Sequence, residues 1–247
     1  MANTSKVGRD SNPLFLAMHF DWVLFDADHT LFDFDRSSKE ALAETLEHHG
    51  IPHQDDHWNT YDRINKECWA AFENGQLERE TMRVIRFTKF FQHIGATEID
   101  VEIFASQYLH SLPARPYLLP GATDLLSALH GRISMGIITN GLREVQRPRL
   151  VSTRVDRFFE VIVISGEIDL MKPDRAFFHH AYVHMGQPEK HKVLVIGDSL
   201  NADIKGGAGY GFKTCWFNPQ KNPGHPEILP DFEIASLEQV TPLLGIL

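Results

Sequence analysis

Short apolar runs recur along the chain, and the first, Trp22-Val23-Leu24-Phe25, stops abruptly on Asp26-Ala27-Asp28-His29-Thr30. Further runs lie at 133–139, 161–165, 193–197 and 213–217. Continuous apolar runs of this length predict strands buried on both faces. Helical spacing fills the gaps. A helix over 122–129 precedes the second strand, and one over 143–151 precedes the third. A helix over 174–184, with Pro173 in its first turn, leads to the fourth strand, and a short one over 204–208 leads to the fifth. Pro148 should kink or shorten the helix that contains it. Strands separated by helices at this spacing predict an α/β fold, a Rossmann-like doubly wound parallel sheet.

Residues 37 to about 112 have a different pattern. Leu42 and Leu46, then Ile64, Cys68 and Phe72, then Val84, Phe87, Phe91 and Ile94 follow helical spacing with no strong strand alternation. Gly50-Ile51-Pro52 and Asn74-Gly75 mark turns between these segments. A run of helices without strands predicts an inserted all-helical cap rather than a cover for the sheet. The expected organisation is an N-terminal extension over 1–19, an α/β core over 20–34 and 113–247, and the cap over 35–112.

Composition narrows the partners. The chain has 43% hydrophobic and 23% charged residues, enough apolar side chains for a packed core. Its net charge is -9 with no Lys/Arg cluster, which argues against a nucleic-acid polymer. Cys68 and Cys215 are the two cysteines and form no CxxC, so neither a disulfide scaffold nor a zinc site is expected. The apolar patch at 14–18 is too short for a membrane span or a signal h-region. The expectation is a cytoplasmic protein without a membrane partner, a monomer or weak homodimer.

Chemistry gathers at the predicted strand ends, where open parallel sheets bind ligands. The first strand ends in Asp26 and Asp28, and the second in Thr139-Asn140-Gly141. Lys172-Pro173 follows the third, and the fourth ends in Asp198 with Asp203 five residues on. Acids converging on one crevice need a cation, and oxygen-only donors suit Mg²⁺. Asp26 can act as a nucleophile that accepts a phosphoryl group. Asp28 can protonate a leaving oxygen and later deprotonate water. Thr139, the backbone N–H groups that follow it at Asn140, and Lys172 can hold phosphate oxygens.

DADHT, ITNG, KP and GDSLNAD, in this order, resemble the four motifs of the haloacid dehalogenase superfamily of phosphohydrolases, over about residues 20–218. The resemblance implies Asp26 as nucleophile, Asp28 as acid/base, and Thr139 and Lys172 as phosphate ligands. It also implies a Mg²⁺ held by Asp26, Asp198 and the backbone carbonyl of Asp28, with Asp203 supporting them from outside. Within the superfamily, WVLFDADHTLFDFD, INKECWAAFENGQLERETMRVIRF and QRPRLVSTRVDRFFEVIVIS are similar to bacterial pyrimidine 5′-nucleotidases. The substrate implied is a small phosphorylated metabolite, a pyrimidine nucleoside 5′-monophosphate first of all.

Trp69, Phe72 and Arg86 are the cap residues expected to meet substrate, with Arg83 a weaker candidate of the same kind. His29 is placed to face the cavity, whereas His48-His49 and His179-His180 read as surface pairs. Alternatives stay open at this stage. They are a phosphatase for phosphoglycolate or a sugar phosphate, a phosphomutase, and a phosphate-binding module without turnover.

Overall fold

The computed structural model describes residues 19–52 and 54–246, so nearly all of the expected N-terminal extension lies outside it. The chain enters as strand β1 (Trp22–Phe25) and passes into four helices, α1 (Phe34–His48), α2 (Asp55–Glu73), α3 (Arg79–Ile94) and α4 (Val101–Ser111). It then alternates through α5 (Ala122–Leu129), β2 (Ser134–Thr139), α6 (Arg143–Ser152), β3 (Val161–Ile164) and the one-turn α7 (Ser165–Ile168). The remaining elements are α8 (Arg175–His184), β4 (Val193–Gly197), α9 (Gly206–Tyr210), β5 (Lys213–Phe217), β6 (Phe232–Ile234) and the one-turn α10 (Val240–Leu243).

All six strands are parallel, in the order β3-β2-β1-β4-β5-β6. Side-chain alternation splits each strand between two cores. Val23, Phe25, Ile137, Leu194 and Ile196 meet α5 and the C-terminal turns on one face. Leu24, Ile138, Val163, Val193 and Val195 meet Phe177, Phe178 and Tyr210 on the other. This is the doubly wound sheet. A third core of Leu42, Tyr61, Phe87, Phe90, Phe104 and Tyr108 lies inside the helical stretch and extends to Leu142 and Val145 at the start of α6.

The helical stretch leaves and rejoins the sheet through neighbouring segments. Asp33 N donates to Tyr117 O, and Leu119 N donates to Leu31 O, both at 2.9 Å. Asp33 caps α1 by accepting from Arg36 N at 3.0 Å. The predicted turns hold, with α1 ending before Gly50 and α2 before Gly75, both in the left-handed region at φ +69°. No helix among the described residues is long and apolar enough to cross a membrane.

Several local expectations need correction. Helix α6 is not shortened by Pro148 but runs through it to Ser152, with Val145 and Leu150 buried on either side. Pro173 precedes α8 instead of opening it. It follows a cis peptide bond, and Asp174 at φ -58°, ψ 133° is the non-helical cap. Strand β3 stops at Ile164, and Ser165 begins a helical turn. The helix expected at 204–208 starts earlier, as a wide π-type segment Leu200–Lys205 that continues into α9. Strand β6 had no sequence signal. It is three residues long at the sheet edge, and its Glu233 is exposed.

Candidate active site

The strand order reverses between β1 and β4, which lie side by side in register. Their carboxyl ends therefore open one crevice. Asp26 follows β1 and its N–H donates to Ile196 O at 2.9 Å. Asp198 follows Gly197 at the end of β4, and Asp203 rises from the wide helical segment beyond it. Ligand-capable oxygens of Asp26, Asp198 and Asp203 lie within 4.8 Å of one another. Gly197 makes this possible. A Cβ there would meet Asp203 Oδ2 at 2.2 Å.

Lys172 ties the cluster together. Its Nζ donates to Asp26 Oδ1, to Asp203 Oδ1 at 2.7 Å and to Ile138 O at 2.9 Å, with 2% of the residue exposed. Asp203 Oδ2 accepts from Ser199 N at 3.1 Å, so both of its oxygens are engaged within the protein. Burial pushes the Asp26 carboxyl up to about 7, against the pull of Lys172 and with the push of Asp203 and Asp28. Burial also raises Asp198 well above the carboxylate range, helped by the charges of Asp26 and Asp203. Burial alone would lower the Lys172 ammonium, but Asp203 and Asp26 outweigh it and raise it.

Three carboxylates thus face one ammonium. No Lys or Arg among the described residues is ion-paired with Asp198, although burial makes its charge costly. An excess of buried oxygen charge with no Cys or His in the group fits a hard divalent cation such as Mg²⁺. Asp26 and Asp198 are the carboxylates with capacity to hold one.

On the other side of Asp26, Gln146 Nε2 donates to Asp28 Oδ2 at 2.8 Å and to Thr139 Oγ1 at 3.2 Å. Arg149 is ion-paired with Asp28 Oδ1, and its guanidinium also donates to Gln146 Oε1 at 2.7 Å. Its Cζ lies 4.3 Å from the Phe32 ring centroid. Neither Gln146 nor Arg149 was singled out from the sequence, since QRPR read as a helix interrupted by proline. Thr139 Oγ1 accepts from both Gly141 N and Gln146, which leaves its own O–H as a donor. The Asn140 side chain is spent on the Lys172 backbone. Its Oδ1 accepts from Lys172 N at 2.8 Å, and its Nδ2 donates to Lys172 O at 2.9 Å.

A crevice of about 250 Å³ contains Asp26, Asp28, Thr139, Asn140, Lys172, Asp198 and Asp203 together. One face of α2 forms its opposite wall. Asp62, Asn65, Lys66, Trp69 and Glu73 line it at helical spacing. Glu73 Oε1 accepts from Asn140 Nδ2 at 3.2 Å, joining that wall to the sheet end. Trp69 and His29 line the crevice as expected.

Phe72 and Arg86 do not reach it. Phe72 packs into the core of the helices, and Arg86 is 1% exposed between Phe87 and Tyr108, bonded to Asn65. Arg83 pairs with Glu80 and Glu144 and lines a separate open cleft of about 760 Å³ that holds none of these acids. His49 bonds Gln107, and His179 bonds Tyr210. Among the described residues the acid cluster is the one group of three or more metal-capable side chains in ligand range.

The family model for haloacid dehalogenase-like hydrolases matches residues 20–211. The HAD-hydrolase YfnB of Bacillus subtilis is 36% identical over 224 residues, covering 91% of this chain and 95% of the relative. Its crystal structure, described as bound to magnesium and showing interdomain movement, superposes with a TM-score of 0.88 at 35% identity, covering 92% and 100% of the two chains. The pyrimidine 5′-nucleotidases YjjG of Escherichia coli and PynA of Streptococcus pneumoniae are 31% and 33% identical. They align over 92% and 90% of this chain, and over 99% and 94% of their own lengths.

Proposed function

The chain belongs to the haloacid dehalogenase-like hydrolase family, and within it we propose a magnesium-dependent phosphatase that hydrolyses pyrimidine nucleoside 5′-monophosphates through an aspartyl-phosphate. The observation that carries the chemistry is the convergence of Asp26, Asp198 and Asp203 at the end of the central strands, with Lys172 ion-paired to Asp26 and Asp203. The full-length similarity to two pyrimidine 5′-nucleotidases supports the substrate class.

In this reading Asp26 attacks phosphorus and the bond to the leaving oxygen breaks. Lys172 holds Asp26 Oδ1, fixing the carboxylate and offsetting part of the charge that a phosphate dianion brings. The Thr139 hydroxyl donates to a phosphate oxygen. Asp28 gives a proton to the departing 5′-oxygen, then takes one from the water that cleaves the aspartyl-phosphate. Asp26 and Asp198 hold Mg²⁺, which supplies positive charge against the transferring phosphoryl group. The helical stretch acts as the cap. Its α2 face closes the crevice, excludes water and sorts leaving groups, with Trp69 stacking on the base.

The test is phosphate release across dTMP, UMP, AMP, ribose 5-phosphate, glucose 6-phosphate and phosphoglycolate, with magnesium and in excess chelator. The proposal expects the pyrimidine nucleotides to have the highest kcat/KM and chelator to abolish turnover reversibly. A hexose phosphate or phosphoglycolate ranking first would remove the nucleotidase assignment and leave the phosphatase chemistry standing.

A further inference from the structure

Asn65 stands in the crevice wall with only 5% of its surface exposed. Its Oδ1 accepts from Arg86 Nη1 at 2.8 Å. A guanidinium has donors and no acceptors, so the amide oxygen must be the atom that faces it. The Asn65 Nδ2 is then turned away from Arg86. Among the described residues it makes no hydrogen bond, yet it is not sealed from the crevice as the unpaired buried atoms elsewhere are.

Arg86 is suited to this fixing role and to little else. Its guanidinium lies 4.9 Å and 5.4 Å from the ring centroids of Phe87 and Tyr108, and it has no carboxylate partner among the described residues. Two of its nitrogens, Nε and Nη2, are buried without partners. A buried cation retained at that cost polarises the one amide it touches, which strengthens Nδ2 as a donor.

We propose that Asn65, oriented by Arg86, is the residue that reads the base, donating from Nδ2 to a carbonyl oxygen of the leaving group beside Trp69. This rests on the nucleotidase reading and deepens it. Uracil, thymine and cytosine all carry a ring carbonyl, whereas sugar phosphates offer no base at all. Asn65 is thus a specificity residue, and Arg86 is its positioning residue.

The test crosses the enzyme with the substrate. Asn65→Asp keeps the shape and the Arg86 contact but presents an oxygen where the donor stood. Wild type and Asn65→Asp are compared on dTMP, ribose 5-phosphate and a phenyl riboside 5′-monophosphate, whose ring lacks acceptors. The expected result is a fall of about ten- to hundredfold in kcat/KM for dTMP, with the other two within about twofold. Arg86→Met should lower the same dTMP preference through KM, with ribose 5-phosphate turnover reporting an intact fold. An equal fall on all three substrates, or an unchanged dTMP rate in Asn65→Asp, overturns the inference. Wild type that favours ribose 5-phosphate over dTMP overturns the nucleotidase reading, and this inference with it.

Discussion

Arg149 is ion-paired with Asp28 across 121 residues of sequence, and Gln146 bonds the other oxygen of the same carboxylate. Asp28, the side chain assigned to proton transfer, is thereby aimed by two residues on one face of α6. The arrangement continues to Thr139, whose hydroxyl oxygen accepts from the same Gln146 amide. One helix therefore orients both the side chain proposed to carry the proton and the one proposed to bind phosphate.

Gln146→Ala should lower kcat by about ten- to hundredfold with little change in KM, because small misplacements of reacting groups cost about that much. Gly141 gives an independent check. A Cβ at this position would lie 2.0 Å from Gln146 Nε2, so Gly141→Ala displaces the same amide. Gly141→Ala alone should reproduce the loss, and should cost little when Gln146 is already alanine. Additive losses in the double variant would contradict the shared cause.

Magnesium should stabilise the protein more at high pH than at low. Asp26 and Asp198 are both raised by burial, so the folded state holds their protons more tightly than the unfolded state. That contribution to stability is full below the unfolded value of 3.8 and is lost as pH rises through about 7. A bound cation replaces the missing protons. The gain in Tm from saturating magnesium should therefore grow from about pH 5.5 to about pH 8, and Asp198→Asn should lose most of it. A gain independent of pH would contradict the site as described.

Strands buried on both faces were legible because parallel strands leave continuous apolar runs, and β1, β4 and β5 begin and end where those runs do. Asp26, Asp28 and Asp198 were legible because charged residues at the end of such runs have little structural reason to be there, whereas Lys172 and Asp203, further beyond their strands, were legible through their place in the KP and GDSLNAD motifs. The edge strand β6 carries one buried residue of three, too weak a pattern to see. The helical stretch was harder for a geometric reason. Helical spacing shows that α2 has two faces, but not which one meets the crevice. Phe72 looked suited to substrate and belongs to the core, while Asn65, which lies in the INKECW stretch but was given no role there, lines the wall. Gln146 and Arg149 lie in the QRPR stretch of the resemblance, but their role showed only as two polar residues spaced three apart beside apolar Val145 and Leu150.

Trp69→Ala should cost nucleotides and spare substrates without a base. The side chain is half-buried in the crevice wall and packs edge-on to Phe72 at 5.7 Å, so its ring is held in place. Stacking on a base contributes about 1–3 kcal/mol, which corresponds to a loss of roughly five- to 150-fold in kcat/KM for dTMP. Ribose 5-phosphate should change by no more than about twofold. Equal losses on both substrates would place Trp69 in cap closure instead of base recognition.

The most direct test of the account is a rapid acid quench of the magnesium-loaded enzyme turning over dTMP that carries radiolabelled phosphate. The account predicts label on the protein within the first turnover, released by mild base as acyl phosphates are, and located in the peptide that contains Asp26. Asp26→Asn should fold normally, take up no label and lose at least about four powers of ten in kcat. Label on another residue, or Asp26→Asn releasing phosphate at near the wild-type rate, would contradict it.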